Sequence, residues 1–482
     1  MYLSESKFLR MLTLCGLYVA QGIPWGFVTV TFAAWLATPE HGLTAKQIGP
    51  IMAVASLPWS FKFVWGPLMD RFTLPSLGRR RPWILFAQGM AILVLGSMLL
   101  FEDLPGMVWT AAPNEGAFWT TIYKLVPGPL AAMILLANVF VSMQDVAVDA
   151  LAVDLLKEEE RGFANGMMYG CSYLGTALGG AGLGFLVARY GIRAGLLGQA
   201  VLLFLIMLLP LLIKERRPAG DVGPSADGPT RTATLSATSA APAAAIDFGE
   251  TPYRPPVSSL QQASLPEHVT SGQQPADSVL KNLLKAFSLR ATILGVFVAL
   301  GVKLGIGVLT AVFVDYLLKD GGWSQEDYTT VTGGYAVLLG LGGSILGGVL
   351  ADKIGPKPMI IVSSGLIGVL WIGFGVHPSS LQSMSQVKGM LMGQEFLLSV
   401  LSVSLFSLFM SISWPRVAAT QFTSYMALMN LSTTIGSYLA GRLSLNYSIP
   451  QLLIIAGILQ VAMVAPVLLI DPKQTRLVLG DT

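Results

Sequence analysis

Stretches of 20 or more residues without a charged side chain recur along this chain, and nine of them stand out as uninterrupted apolar windows. They cover residues 11–39, 82–101, 125–144, 162–188, 194–213, 328–351, 358–387, 417–441 and 443–470. A helix needs roughly 20 apolar residues to cross the hydrocarbon core of a bilayer, so each stretch predicts a membrane-spanning helix. Transmembrane barrels use weakly alternating segments of about ten residues, a pattern that these longer windows do not follow.

Three further apolar windows carry one or two charges each. They lie at about 47–69 around Lys62, at 291–318 around Lys303 and Asp315, and at 389–413 around Glu395. With the nine uninterrupted windows they predict an all-α integral membrane protein of twelve transmembrane helices. The composition agrees, because 53% hydrophobic and only 12% charged residues is far too apolar for an ordinary soluble chain.

The distribution of Lys and Arg predicts how the helices are oriented. With the amino terminus inside, 21 of the 30 basic residues fall on the inner side and seven on the outer side, while Lys62 and Lys303 stay within the membrane. Because basic loops are retained in the cytoplasm, we expect both termini to be cytoplasmic. The net charge of +3 then reflects topology and gives no reason to expect a nucleic-acid partner.

A segment rich in Pro, Ala, Ser, Thr and Gly separates the sixth and seventh spans. Such a composition is typical of a disordered linker. The predicted organisation is therefore an amino-terminal six-helix bundle at 1–215, a disordered cytoplasmic linker at 216–286 and a carboxy-terminal six-helix bundle at 287–482. The two bundles share a signal after their second spans, "GPLMDRFTLPSLGRRR" at 66–81 and "GGVLADKIGPK" at 347–357.

The second-half signal resembles the Gly-x-Leu-Ala-Asp-x-x-Gly-x-Lys/Arg signature of the major facilitator superfamily, and the first-half copy matches with a short insertion. The resemblance implies two pseudo-symmetric six-helix halves and a cytoplasmic gate. In this chain the gate residues would be Gly66, Asp70, Arg71, Arg79, Arg80, Gly348, Asp352, Lys353, Gly355 and Lys357. Gly348 would let helices pack closely, and the charges would pair across the seam between the halves. The alternative is that these charges only set the topology of a tight inner loop.

Further segments narrow the resemblance. "LYVAQGIP", "SFKFVWGPLMDRF", "GRRRPW", "SMQDVAVDAL" and "ATQFTSYMALMNLS" look like the AmpG-type muropeptide permeases and the related acetyl-CoA transporter family. The resemblance implies a monomeric permease of the bacterial inner membrane that imports 1,6-anhydro-muropeptides with protons, driven by the proton gradient and without a cofactor. Acetyl-CoA or another anionic metabolite, and a siderophore, remain alternative substrates.

A polytopic enzyme or a non-transporting sensor is the competing class of function. An enzyme would need a convergent set of His, Glu or Ser residues near one face, and a sensor would need a foldable soluble domain. The sequence offers neither, so we predict no catalytic residue. With only two cysteines, both inside predicted spans, it also predicts no metal site.

Lys62 and Asp145 are expected to be partners, because both lie deep in the membrane at a similar level. Counting at 1.5 Å per residue puts Lys62 about 22 Å and Asp145 about 25 Å from the outer ends of their spans. A charge at that depth normally faces a partner or a wet cavity. Asp149 lies one helical turn from Asp145, and two carboxylates that close repel each other, which favours a proton on one of them.

Asp145, Asp149, Lys62 and Glu395 are therefore the predicted proton-coupling residues. The competing interpretation is structural: Asp149 and Asp154 would simply engage Arg71 or Arg80 of the gate.

Lys303 is the charge best placed to meet an anionic substrate, since it lies near the midplane, about 18 Å from the cytoplasmic surface. A buried ion pair, with Glu395 or Asp315, is the alternative role. The other predicted substrate-binding residues are Gln21, Asn138, Gln144, Asp315 and Gln421. Amides in membrane helices also serve as interhelical hydrogen-bond partners, so both readings stay open. The family resemblance implies that spans one, four, seven and ten surround the cavity.

Overall fold

The computed structural model describes residues 2–72, 78–109, 126–156, 158–215, 276–414 and 417–480. Within these ranges the regular structure is helical, apart from isolated bridge residues. One bridge, between Tyr2 and Lys214, ties the amino terminus to the end of the sixth span. The predicted all-α membrane fold is confirmed.

Apart from the shorter helices Ala276–Phe287 and Gln474–Leu479, the main described helices form twelve successive segments, which we number α1 to α12. They are α1 (Lys7–Ala37), α2 (45–71), α3 (Arg81–Leu100), α4 (Pro129–Leu155), α5 (158–190), α6 (Ile192–Leu212), α7 (Arg290–Lys319), α8 (325–354), α9 (Pro356–Val376), α10 (Met384–Ile412), α11 (Ala418–Asn446) and α12 (449–469). Ten of these segments are long and apolar enough to cross a membrane. The other two are α2, which is interrupted, and α11, which has 29 residues but is rich in Ser and Thr.

Two segments are interrupted beside their buried lysines. In α2 the regular helix ends at Ser60, a short 3-10 turn covers Lys62–Val64, and the helix resumes at Trp65. Pro58 contributes to this break because it lacks a backbone N–H. In α7 the helix stops at Gly301 and resumes at Leu304, and the freed N–H of Lys303 donates to Ser432 Oγ of α11 at 3.3 Å.

The two halves, α1–α6 and α7–α12, meet along α2 with α11 and α5 with α8. We call the face at which α1 begins and α12 ends the terminal face, and the opposite face the distal face. At the distal face Asp315 Oδ2 of α7 accepts from the N–H of Ala45 at 2.8 Å, and Lys319 Nζ donates to the carbonyl of Leu43 at 2.5 Å. Asp315 and Lys319 also pair with each other at 2.7 Å. These contacts tie the two halves together.

Three π-helical turns lie next to one another near this seam: Phe27–Phe32 in α1, Leu178–Gly182 in α5 and Val331–Tyr335 in α8. A Cβ added to Gly180 would lie 2.7 Å from Gly333 Cα, so α5 and α8 meet backbone to backbone. The Thr31 hydroxyl donates to the carbonyls of Gly179 and Gly180 at 2.7 and 2.6 Å.

Farther toward the terminal face, contacts between the halves run through Ser56 with Thr434 (2.8 Å) and the Trp59 carbonyl with Asn430 (3.3 Å). Beyond Trp59, the described pairs such as Arg80 with Asp154 lie within one half. The structure therefore represents a state closed at the distal face.

The end of the predicted linker needs correction. Residues 216–275 lie outside the described ranges, but Ala276–Phe287 is a helix, so residues 276–286 are not disordered. Its apolar side packs on the bundle, where Leu283 and Ala286 contact the cluster formed with Trp414 and Val417. The sequence places this helix with the linker, because an amphipathic segment of 12 residues is too short to span a membrane.

Candidate functional site

A cavity of about 320 Å³ lies between the two halves. Residues of α1, α2 and α5 line it from one half, and residues of α7, α8, α10 and α11 from the other. The expectation that spans one, seven and ten surround the cavity is met. No residue of α4 belongs to the described lining, so the expected contribution of the fourth span is wrong for this state, and its charges are engaged elsewhere.

Hydroxyl groups dominate the polar part of the lining. Eleven of the 24 lining residues are Ser, Thr or Tyr, and Trp25 and Phe313 add aromatic rings. The Tyr173 hydroxyl lies 3.0 Å from Ser344 Oγ and 3.3 Å from Ser399 Oγ, which links α5 to α8 and α10 across the cavity wall. The hydroxyl groups of such a surface can hydrogen-bond a polar ligand, and its aromatic rings can stack against a flat face of that ligand.

Lys303 and Glu395 are the two charged residues of the described lining. Both are half-buried, and their opposite charges attract each other. No hydrogen bond or ion pair within 4.0 Å engages either side chain in the described part of the chain. Lys303 of α7 and Glu395 of α10 thus face the same space.

The pairing predicted between Lys62 and Asp145 is confirmed. Lys62 Nζ lies 2.9 Å from Asp145 Oδ2, and their side chains are 20% and 9% exposed. The break in α2 places Lys62 there, because the 3-10 turn at 62–64 changes the direction of the side chains. α4 continues unbroken through Asp145.

Asp149 lies one turn farther along α4 and accepts a hydrogen bond of 2.5 Å from the Tyr18 hydroxyl of α1. The tyrosine ring packs against Tyr169 of α5 at 6.2 Å between centroids. It is Asp154, and not Asp149, that pairs with Arg80, at 3.1 Å. The structural alternative predicts an ion pair with the gate arginines for both aspartates, and Asp154 forms it with Arg80. Asp149 instead completes a cluster of charges with Lys62 and Asp145.

Aromatic contacts connect the Lys62 cluster with the cavity. Lys62 Nζ lies 5.9 Å from the centroid of the Trp59 ring. Trp59 in turn packs edge-on against Trp25, with 6.3 Å between centroids, and Trp25 lines the cavity. A ligand that moves Trp25 would therefore act on the environment of Lys62 through one intervening ring.

The predicted substrate-binding amides lie outside the cavity lining. Asn138 donates to the carbonyl of Ile134 in its own helix, and Gln144 contacts Gln88 at 3.3 Å. Gln421 accepts from the N–H of Trp414 and donates to Thr292, and Gln21 is buried.

In this state these amides, and Asp315 in the distal seam, therefore lie away from the described cavity lining. Interhelical hydrogen bonding explains Gln144 and Gln421, the alternative that sequence left open.

The first-half gate segment is organised around Glu215, at the end of α6. Its carboxylate accepts from the backbone N–H groups of Arg79 and Arg80 at 2.7 Å each, and from that of Arg81. It thereby satisfies donors at the start of α3, where an anion is favourable. The side chains of Asp70 and Arg71 lie outside the described residues. Gly66 is described, and a Cβ there would meet no atom within 4 Å.

The second-half gate departs from the expectation at two residues. A Cβ at Gly348 would come no closer than 3.7 Å to Val403, whereas one at Gly347 would lie 2.8 Å from Val400 Cα, so Gly347 is the close-packing glycine. Lys357 donates to the carbonyls of Leu468 and Ile470, which caps α12 within the same half.

Gly355 turns the chain into α9 with φ of +96°, a conformation that favours glycine. Lys353 is exposed, and the side chain of Asp352 lies outside the described residues.

Sequence reasoning missed Glu215, Trp25 and Tyr173. Glu215 stands in the basic run "KERRP", which reads only as an inner-side signal. Trp25 and Tyr173 look like ordinary aromatic residues of a span, and their cavity positions depend on how the two halves meet.

The family model of the Major Facilitator Superfamily matches residues 14–415. The chain belongs to this superfamily. It is therefore a multi-pass membrane transporter and not an enzyme.

Curated relatives point to one branch of the superfamily. The chain is 32% identical to the anhydromuropeptide permease of Escherichia coli strain K12 over 143 residues, 30% of this chain and 24% of that protein. It is 28% identical to the putative transporter AmpG 4 of Rickettsia felis over 188 residues, 38% of this chain and 40% of that protein. The matches thus cover less than half of these relatives, and over that part they confirm the similarity to AmpG-type permeases.

Solved structures agree on the fold. The chain matches a D-xylose-proton symporter with a TM-score of 0.65 at 14% identity, covering 95% of this chain and 96% of that one. It matches the nucleoside transporter NupG with a TM-score of 0.64 at 10% identity, covering 95% and 99%. At these identities the likeness shows the shared architecture alone.

Proposed function

We propose that this protein is a proton-coupled symporter that imports a bulky anionic solute, such as a 1,6-anhydro-muropeptide, by alternating access. The terminal face is then the cytoplasmic side of the bacterial inner membrane, and both termini lie in the cytoplasm. The protein works as a monomer, and the proton gradient supplies the energy without a cofactor.

The observation that carries the proposal is the central cavity with Lys303 in its wall. Its ammonium meets no hydrogen-bond acceptor or ion-pair partner in the described part of the chain, so it is available to a ligand carboxylate. The hydroxyl groups and Trp25 suit sugar rings, which need many hydrogen bonds and one flat contact. A cavity of about 320 Å³ lies at the lower end of the roughly 300–1,000 Å³ typical of ligand sites. A whole muropeptide therefore requires the cavity to widen toward the terminal face.

Proton coupling rests on the cluster of Lys62, Asp145 and Asp149. One lysine faces two carboxylates, so the cluster carries a surplus negative charge unless a proton is bound. A surplus charge in the membrane interior is costly, which favours proton binding when the site is closed to water. The Trp59 and Trp25 rings give the cavity a physical connection to this site.

The test is uptake of labelled GlcNAc-1,6-anhydro-MurNAc tripeptide into proteoliposomes with an imposed inward proton gradient. We expect uptake that follows the gradient and is lost in Asp145→Asn. Asp320→Asn serves as the control, because Asp320 is an exposed carboxylate at the distal face. Absence of uptake by folded wild-type protein, or uptake that ignores the gradient, would contradict the proposal.

A further inference from the structure

We infer that the cavity recognises a zwitterionic group, an ammonium and a carboxylate presented by the same ligand, and not an anion alone. This inference rests on the proposed function and narrows its substrate class. Lys303 would hold the carboxylate and Glu395 the ammonium.

The charge balance of the cavity is the first argument. Its described lining contains one cation and one anion, Lys303 and Glu395, and thus has no net charge. A polyanion entering this space would gain from Lys303 but would be repelled by Glu395 over similar distances. A ligand with both charges gains from both residues, and each of its charges is desolvated against an opposite one.

The second argument is that the two side chains do not neutralise each other by direct contact. In the described part of the chain neither one takes part in a hydrogen bond or in an ion pair within 4.0 Å. Opposite charges in a membrane interior normally pair when they can reach each other. In this state each side chain therefore remains available to a ligand group of the opposite charge.

The backbone explains why the two charges stay on different walls. Lys303 lies at the break of α7, where its own N–H is bound to Ser432 of α11. Glu395 lies on α10 against α8, since a Cβ added to Gly340 would be 3.4 Å from Glu395 Oε1 and 2.9 Å from Ser399 Oγ. The absence of a side chain at Gly340 therefore leaves space for the carboxylate at the α8 wall.

The consequence for the substrate is specific. A muropeptide whose peptide carries a free amine beside a free carboxylate supplies both charges. A coenzyme or another phosphate-bearing anion supplies only negative charge, which Glu395 repels, and no ammonium for Glu395 to bind. Both Lys303 and Glu395 belong to the carboxy-terminal half, so the zwitterionic end of the ligand would stay with that half when the two halves rock.

The experiment compares ligand binding to the purified full chain in detergent, measured by the shift of the thermal unfolding temperature with ligand concentration. The probes are the GlcNAc-1,6-anhydro-MurNAc tripeptide with its free amine and the same compound with the amine acetylated. Wild-type protein should bind the free amine at least about tenfold more tightly, as expected for a hydrogen bond to a charged group. Glu395→Gln should remove that preference, and Lys303→Gln should weaken both probes about tenfold.

Two further variants keep the test decisive. Gly340→Ala leaves both charges in place but crowds Glu395, and should also reduce the preference for the free amine. Ser411→Ala removes a hydroxyl of the same helix, α10, outside the cavity lining and should leave the preference unchanged. Equal binding of the two probes by wild type, or a preference that survives in Glu395→Gln, would overturn the inference while leaving the proposed function intact.

If neither muropeptide binds, the proposed function is wrong, and trialanine and N-acetyl-trialanine then test the inference separately. Binding of trialanine alone, with loss in Glu395→Gln, would support zwitterion recognition for another substrate. Failure of trialanine to bind would overturn the inference as well.

Discussion

Replacing Gly180 by Ala should open the distal face. The added Cβ would lie 2.7 Å from Gly333 Cα, whereas carbon atoms in contact are at least about 3.5 Å apart, so the backbones must separate by roughly 0.8 Å. Because the obstructing atom belongs to the backbone, no rotamer change can relieve the clash. Overpacking of this kind costs about 1–3 kcal/mol. If that cost applies only to the state closed at the distal face, the ratio of closed to open molecules drops about 5- to 150-fold.

The assay is a distance distribution between spin labels at Glu40 and Asp320, which are exposed on opposite halves at the distal face. The native Cys15 and Cys171 are first replaced by Ala. We expect a short distance to dominate in the otherwise unchanged protein and a longer one to gain population in Gly180→Ala.

The matched control is Gly182→Ala in the same π-helical turn. A Cβ at Gly182 would meet its nearest atom, Leu178 Cδ2, at 3.8 Å, which is an ordinary contact. Both substitutions change helix propensity equally, so only the contact with Gly333 distinguishes them. Identical distance distributions for the two variants would refute the reasoning.

Three other predictions concern the charge cluster, the gate and the cavity. Lys62→Met should lower the free energy of unfolding by about 1–3 kcal/mol. This loss is smaller than that for breaking a fully buried ion pair, because Lys62 is 20% exposed. In thermal unfolding, adding Asp145→Asn to this variant should restore part of the lost stability. Glu215→Gln should lower the free energy of unfolding by about 1–2 kcal/mol, because the N–H groups at the start of α3 lose a charged acceptor. The control Glu5→Gln, at an exposed site, should not change the unfolding temperature. Trp25→Leu should raise the KM for muropeptide uptake about tenfold with little effect on unfolding, and Trp25→Phe should recover most of the affinity.

Much of the fold could be predicted from sequence because the bilayer imposes strict lengths on its helices. Charge-free windows predict nine of the spans, and the depths of Lys62 and Asp145 along their helices predict that the two side chains pair. Depth is nearly linear in residue number for a straight helix, so two charges at equal depth on neighbouring helices have few other partners.

The cavity could be predicted less well, because its lining depends on helix rotation and on small departures from regular geometry. Gln144 and Gln421 look like cavity residues in sequence, yet each faces another helix and binds its polar groups. Similarly, the double glycine at 347 and 348 does not reveal which residue faces α10, and the structure shows that it is Gly347. The breaks of α2 and α7 carry weak signals, since Pro58 marks only the first of them.

The most direct test of coupling between substrate and protons is whether a substrate gradient alone drives proton transport. Liposomes containing the protein and a trapped pH dye, with no imposed gradient, receive GlcNAc-1,6-anhydro-MurNAc tripeptide on the outside. We expect wild-type protein to acidify the lumen and Asp145→Asn to leave the lumenal pH unchanged. Entry of the substrate without a change in lumenal pH, or acidification that persists in Asp145→Asn, would contradict this expectation.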